Sequence, residues 1–189
     1  IASAIRGTIR TKYWDAARGL FADTYDHRSF SQHVNSLAIL AGIVTGEEAT
    51  RVMERTLNDP SLIQATIYFR YYVHQALKTA GMGDRLLDNM QIWRDQMALG
   101  LTTWAEMPEP TRSDCHAWGA SPNIEFFRIL LGIDSNAPGF KSIRIAPSLG
   151  NLKEVSGTMP HPAGSVTASY KLDKKGKLTA RLVLPAGTN

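Results

Sequence analysis

The sequence predicts a mainly α-helical chain that ends in antiparallel β structure, and three observations carry that prediction. Apolar residues recur at helical spacing as far as about residue 132. From Asp134 onward the apolar period drops to two. Between the helical stretches the connections are short and carry cap and break signals.

The elements follow in order. A first helix covers roughly Ile1 to Tyr13, and a loop with Gly19, Asp23, Asp26 and Ser29 succeeds it. A second helix begins near Ser31 and runs through Leu37, Ile39, Leu40 and Ile43. Thr45 and Glu48 have the spacing of a capping box, in which each side chain satisfies a free backbone N–H at the start of a third helix. Asn58-Asp59-Pro60-Ser61 breaks that helix. A fourth, Leu62 to Ala80, is apolar nearly all round and is expected to be buried among other helices. Gly81 and Gly83 end it. A fifth, from Asp84, sets Leu86, Met90, Trp93 and Met97 on one stripe and stops at Gly100. A sixth has Ser121 as N-cap, Pro122 at its first position and Gly132 just past its end.

Beyond Asp134, Ile143 and Ile145 alternate with Ser142 and Arg144. Val166, Ala168, Tyr170 and Leu172 alternate with polar or small residues, and Leu178, Ala180, Leu182 and Leu184 do so again. Lys171, Lys174, Lys175 and Lys177 surround Gly176 where these two runs meet, which reads as a charged hairpin turn. Four or five antiparallel strands, each with one buried face, indicate part of a β-sandwich. The expected division is residues 1–133, helical, and residues 134–189, β. Stacked helix pairs of this size occur in solenoids and in closed α/α toroids. No residue motif repeats at a fixed period, which disfavours a solenoid.

Composition excludes several functions. Hydrophobic residues make up 43% and charged residues 20%, as in soluble globular proteins. The net charge of +4 is small and dispersed, which argues against nucleic acid as a partner. No apolar run reaches the length of a membrane span. The single cysteine, Cys115, rules out an internal disulfide. The chain begins at Ile1 without a signal-peptide pattern and stops on the turn signal Leu184–Asn189, so it reads as a piece of a longer chain. Cytoplasmic, periplasmic and secreted locations all stay open.

The chemistry concentrates between Thr102 and Pro122, TTWAEMPEPTRSDCHAWGASP. Two tryptophans, two glutamates, an aspartate, a histidine and the only cysteine share this stretch with three prolines. Loops on a rigid scaffold often carry function. Indole faces stack on sugar rings and carboxylates bond sugar hydroxyls, so the mixture suits a carbohydrate. Glycoside hydrolysis requires two carboxyl groups. Glu106 sits beside Trp104 just after the fifth helix and is the candidate catalytic carboxylate; its plain alternative is a solvated loop glutamate. Glu109, between Pro108 and Pro110, reads as a surface carboxylate. Asp114 either orients His116 or pairs with Arg112. His116 is a candidate ligand contact or a buried histidine bonded to backbone. Cys115 as a nucleophile would need His33 or His74 as its base. Gln32 and His33, at the start of the second helix, either face the pocket or pack. Cys115 and His116 are adjacent and cannot easily bind one ion together, and no C-x-x-C or H-x-x-x-H spacing occurs, so no metal and no cofactor is expected.

Several motifs together resemble the bacterial α-L-rhamnosidases. They are Tyr13-Trp14-Asp15 with Gly19-Leu20-Phe21-Ala22-Asp23, then Ser31-Gln32-His33-Val34-Asn35 with Leu37-Ala38 and Ala41-Gly42. Thr102-Thr103-Trp104-Ala105-Glu106 and Ser113-Asp114-Cys115-His116-Ala117-Trp118 follow, and then Leu131-Gly132-Ile133, Pro138-Gly139-Phe140 and Ile143-Arg144-Ile145-Ala146-Pro147. The resemblance covers essentially the whole chain. It implies the late helices of a six-hairpin (α/α) toroid, then an incomplete C-terminal β-sandwich. It implies inverting hydrolysis of terminal α-L-rhamnosyl groups, with the general base on Glu106 and a sugar contact on His116. Trp104 and Trp118 would shape the pocket or buttress the loop. The family's general acid has no match in this chain, which by itself is expected to be inactive and prone to associate. The implied partners are a rhamnose-containing glycoside or polysaccharide, the upstream remainder of the same enzyme and, for an exposed helix layer, further copies of the chain. Two other readings stand beside this one: a non-catalytic carbohydrate-binding fragment, or a related toroid glycosidase with a different sugar. A helical scaffold whose loop binds a protein is a third.

Overall fold

A computed structural model describes residues 1–188. Six helices and antiparallel sheets divide into two compact units. The first holds Ile1–Met82 and Asn89–Ala120; the second holds Gly83–Asp88 and residues 121–188.

In the first unit, α1 (Ala2–Tyr13) buries no residue fully and rests Ile9 and Tyr13 on the core. The short strands β1 (Trp14–Asp15) and β2 (Leu20–Phe21) pair antiparallel, Trp14 opposite Phe21. The buried Asn35 side chain holds β2 from α2 (Gln32–Leu40): its Oδ1 accepts Phe21 N at 2.8 Å and its Nδ2 donates to Phe21 O at 3.1 Å. Ser31 caps α2 by accepting Val34 N at 3.2 Å. α3 (Gly46–Asn58) and α4 (Ile67–Thr79) pack with α2 around a core that includes Phe21, Ile39, Met53, Val73 and Leu77.

Three helix signals play out differently here. Thr45 is the N-cap of α3, but its hydroxyl makes no capping bond, and Glu48 reaches away to Arg10 at 2.5 Å. The fourth helix starts at Ile67, not Leu62. The intervening backbone is already satisfied elsewhere: Ile63 N donates to Phe30 O at 2.9 Å, Gln32 N to Ile63 O at 3.0 Å, and Ala65 N to the Gln32 side chain at 2.9 Å. A buried backbone group needs one partner, and tertiary partners pre-empted the helical ones. α4 is not buried all round, because Tyr68 is half exposed. The fifth helix divides into a 3-10 turn, Gly83–Asn89, and α5 (Gln91–Ala98). Leu86, Met90 and Trp93 are buried as the stripe predicts, whereas Met97 is exposed.

In the second unit, α6 (Pro122–Glu125) widens into a π turn, Phe126–Leu130. Ser121 is itself in helical conformation and makes no side-chain cap bond, so the predicted N-cap does not form there. The chain then leaves through Gly132 at φ 68°. A Cβ at this position would stand 2.1 Å from the carbonyl carbon of Ala146, so both the conformation and the close approach require glycine. β3 (Ile133–Ser135) pairs antiparallel with β4 (Ile143–Ile145). β5 (Glu154–His161), β6 (Gly164–Leu172) and β7 (Leu178–Val183) form a meander in that order. Val166, Ala168 and Tyr170 of β6 are buried with Leu131 and Ile133, and the Tyr170 hydroxyl donates to Leu131 O at 2.9 Å.

The apolar alternation of β7 is present, but its face is not covered. Leu182 lies opposite Ala168, Ala180 opposite Tyr170 and Leu178 opposite Leu172, so these side chains share the core face of β6. Every residue of β7 is nonetheless exposed, because the packing from Leu131 and Phe127 ends at β5 and β6. The turn expected over Leu184–Asn189 is described as far as Thr188; Asn189 lies outside the described residues. Among the described residues no helix is long and apolar enough to cross a membrane.

Gly132→Ala is expected to destabilise the fold by about 2 kcal/mol or more, since left-handed strain alone costs on the order of 1–3 kcal/mol and the Ala146 clash adds to it. Urea denaturation of the variant against the parent chain measures this; an unchanged midpoint would contradict the packing at that turn.

Candidate active site

The loop after α5 is irregular as far as His116 and ends in a 3-10 turn, Ala117–Ala120. Its own backbone closes it twice: Glu106 N donates to Ser113 O at 3.0 Å, and His116 N donates to Trp104 O at 2.8 Å. Thr103 Oγ1 adds a bond to Asp114 O. Two side chains of α5 then anchor the loop. Gln96 Oε1 accepts Ala105 N at 3.0 Å, and Trp93 Nε1 donates to Gly119 O at 2.7 Å, both bonds buried. Residues three apart face the same side of a helix, so one helical face grips both ends of the loop.

This frame sets the Glu106 side chain, 11% exposed, under the guanidinium of Arg112. Arg112 Nε meets Oε2 and Nη2 meets Oε1, a fork on both carboxylate oxygens. His116 Nε2 lies 3.9 Å from Oε1. The Arg112 hydrogen bond holds the Glu106 carboxyl below the ordinary glutamate range; partial burial opposes this, and the charges of Arg112 and His116 reinforce it. A depressed carboxyl stabilises the fold above its unfolded pKa, and that contribution is lost as pH falls through the folded value.

A cavity of about 260 Å³ opens beside this carboxylate, lined by Thr66, Tyr68, Glu106, Met107 and Trp118. Tyr68 and Trp118 meet edge to face with centroids 5.6 Å apart. The His116 ring sits 4.4 Å from Trp118, and its Nδ1 is buried without a hydrogen-bond partner in the protein. Two half-exposed aromatic rings beside an ionised carboxylate make a surface that can stack a sugar ring and bond its hydroxyls.

Of the residues singled out from sequence, Glu106 and Trp118 line this cavity, and His116 touches both. Trp104 is set back: its Cβ stands 2.5 Å from where a Cβ on Gly119 would be, so it buttresses the 3-10 turn. Arg112 pairs with Glu106 and not with Asp114, whose carbonyl is bonded to Thr103. Gln32 does not face the pocket; its side chain bridges Thr56 O and Ala65 N in the core. His33 packs against Phe69 at 4.2 Å, and burial pushes its pKa down. Cys115 is a free, exposed thiol, and His74 is fully buried beside Trp93. Thr66 and Tyr68 were not legible in the sequence, which sets both inside a helix from Leu62, whereas Thr66 is the N-cap and Tyr68 lies in the first turn of α4. Among the described residues no group of three histidine, cysteine or acidic side chains could hold a metal ion.

Comparisons with known proteins find a likeness to bacterial α-L-rhamnosidases both in sequence family and in fold. Residues 132–189 match the family described as the bacterial alpha-L-rhamnosidase C-terminal domain. A GH78 family rhamnosidase of Bacillus sp. GL1 superposes with a TM-score of 0.82 at 25% identity, covering 98% of this chain and 23% of that one. The alpha-L-rhamnosidase from Dictyoglumus thermophilum gives 0.78 at 19% identity, covering 98% and 22%. That of Streptomyces avermitilis, complexed with L-rhamnose, gives 0.72 at 18%, covering 98% and 19%. No curated protein sequence matches the chain. The chain is thus related to the bacterial α-L-rhamnosidases: by sequence family over residues 132–189, and by fold over nearly all of its length. It spans less than a quarter of the length of these solved structures.

Gln96→Leu would leave Ala105 N–H buried without an acceptor, at a cost of ~1–3 kcal/mol. The expected result is a lower melting temperature together with faster amide exchange across residues 103–119. Exchange confined to Ala105 would show that the loop does not depend on this anchor.

Proposed function

We propose that this chain is the part of an inverting α-L-rhamnosidase that carries the general base, Glu106. In this reading residues 1–133 are the C-terminal half of an α/α-toroid catalytic domain, and residues 134–189 are part of a C-terminal β-sandwich. The observation that carries it is the ionised Glu106 carboxylate at the wall of a cavity edged by two exposed aromatic rings. Glu106 takes a proton from a water as that water attacks the anomeric carbon. The attacking oxygen forms the new C–O bond, and the glycosidic oxygen leaves with a proton from a second carboxyl group. Inversion needs the two carboxyl groups roughly 6.5–9.5 Å apart. The second is expected from outside this chain. The orphaned Nδ1 of His116 supports a sugar-hydroxyl contact, because a buried polar atom is normally satisfied by some partner. Trp118 offers a stacking face, and Trp104 holds the turn beneath it.

One observation favours a second reading. Glu106 is the single carboxylate among the residues lining the cavity, as a sugar-binding site without hydrolysis would have it. Neither reading requires a cofactor.

Hydrolysis of an aryl α-L-rhamnoside by the longest expressible chain that contains this sequence separates the two. Glu106→Gln is expected to lower kcat by ~10²–10⁴-fold, while an L-rhamnose-induced rise in melting temperature persists. Equal turnover in both proteins would place the base elsewhere. Sugar-dependent melting without turnover in either would favour the binding reading. The 189-residue chain alone is expected to show no turnover.

A further inference from the structure

Arg112 stands apart from the other charged residues of the loop. Its side chain is 78% exposed, yet the guanidinium lies along both oxygens of a carboxylate that is itself 11% exposed. Glu106 is its only polar partner among the described residues. The approach is fixed by backbone, because Glu106 N bonds Ser113 O and so sets residues 106 and 112 across from one another. Thr111 Oγ1 bonds the same Ser113 carbonyl at 3.0 Å and stiffens that turn.

We propose that Arg112 is a positioning residue for Glu106, holding the carboxylate in one orientation from the solvent side while its remaining lone pairs face the cavity. The proposal rests on the reading of Glu106 as the base. A forked guanidinium occupies one lone pair on each oxygen and leaves another free on each. The grip therefore fixes the rotamer without blocking proton transfer. It also keeps the carboxylate ionised under acidic conditions, which extends the range in which it can accept a proton. The groups facing Glu106 are Arg112 and His116 from its own loop, and Thr66 and Tyr68 from the start of α4. Of these, Arg112 alone carries a permanent positive charge.

Two substitutions test this. Arg112→Ala removes the fork, and Arg112→Lys keeps a charge that cannot grip two oxygens at once. The first readout is the titration of the Glu106 side-chain carboxyl, followed by carbon-13 NMR in this chain. The second is the pH profile of kcat/KM for an aryl α-L-rhamnoside in the longest expressible chain. In Arg112→Ala the Glu106 midpoint is expected to rise and the acidic limb of the profile to rise with it. kcat should fall by about ten- to a hundredfold with KM nearly unchanged, as expected for a misplaced reacting group. Arg112→Lys is expected to recover part of the titration shift and less of kcat. The proposal is overturned if Glu106 titrates at the same pH in all three proteins, or if kcat is unchanged in Arg112→Ala; an acidic limb that stays in place while the carboxyl midpoint moves overturns instead the reading of Glu106 as the base. Because the titration needs no turnover, it remains decisive even if Glu106→Gln shows that the base lies elsewhere.

Discussion

The grip of one face of α5 on the loop that follows it is the constraint on which the candidate site depends. Trp93 and Gln96 reach the loop at Gly119 and Ala105, fourteen residues apart. Between Ala105 and His116 the chain has neither helix nor strand to hold it, and it is tied by cross-bonds such as Glu106–Ser113, Trp104–His116 and Thr103–Asp114. Both α5 side chains are nearly fully buried, so these bonds form away from competing water and their loss leaves unsatisfied groups behind. A functional loop of this kind is rigid by attachment, not by internal regularity. The position of Glu106 is consequently inherited from a helix whose own side chains need never touch a ligand.

Much of the architecture was legible in the sequence. The change of apolar period near Asp134 marks where strands take over, and Gly132 is where the backbone needs a residue without a side chain. The sequence was misleading where long-range bonds compete with local ones. Leu62–Thr66 has the composition of a helix start, yet Phe30 and Gln32 claim its backbone groups, and these partners lie some thirty residues earlier in the chain. Thr45 and Glu48 have capping-box spacing, but Arg10 offers Glu48 a charged partner that the pattern does not foresee.

The site itself was half legible. Glu106, His116 and Trp118 fall together because they belong to one loop, so proximity in sequence translated into proximity in space. Tyr68 joins them from α4, and no local pattern distinguishes a tyrosine at a pocket from one on a wet helix surface. Arg112 was visible as a charge, but its partner depends on which way a proline-rich turn closes, and periodicity carries no information on that. Trp104 had two readings, shaping the pocket or buttressing the loop, and its contact with Gly119 fits the second.

The uncovered face of β7 has a consequence for how the protein behaves in concentrated solution. As the terminal strand of its sheet it presents free backbone groups and exposed Leu178, Leu182 and Val183, the ingredients of strand-to-strand aggregation. Lys174, Lys175 and Lys177 crowd the turn that precedes it, and Arg181 lies within it. Like charges of this density repel a second copy approaching along the same edge, so electrostatics stand guard where packing does not. That protection reaches only about 8 Å at physiological ionic strength and shrinks as salt is added. Added salt therefore weakens the electrostatic barrier between two such edges.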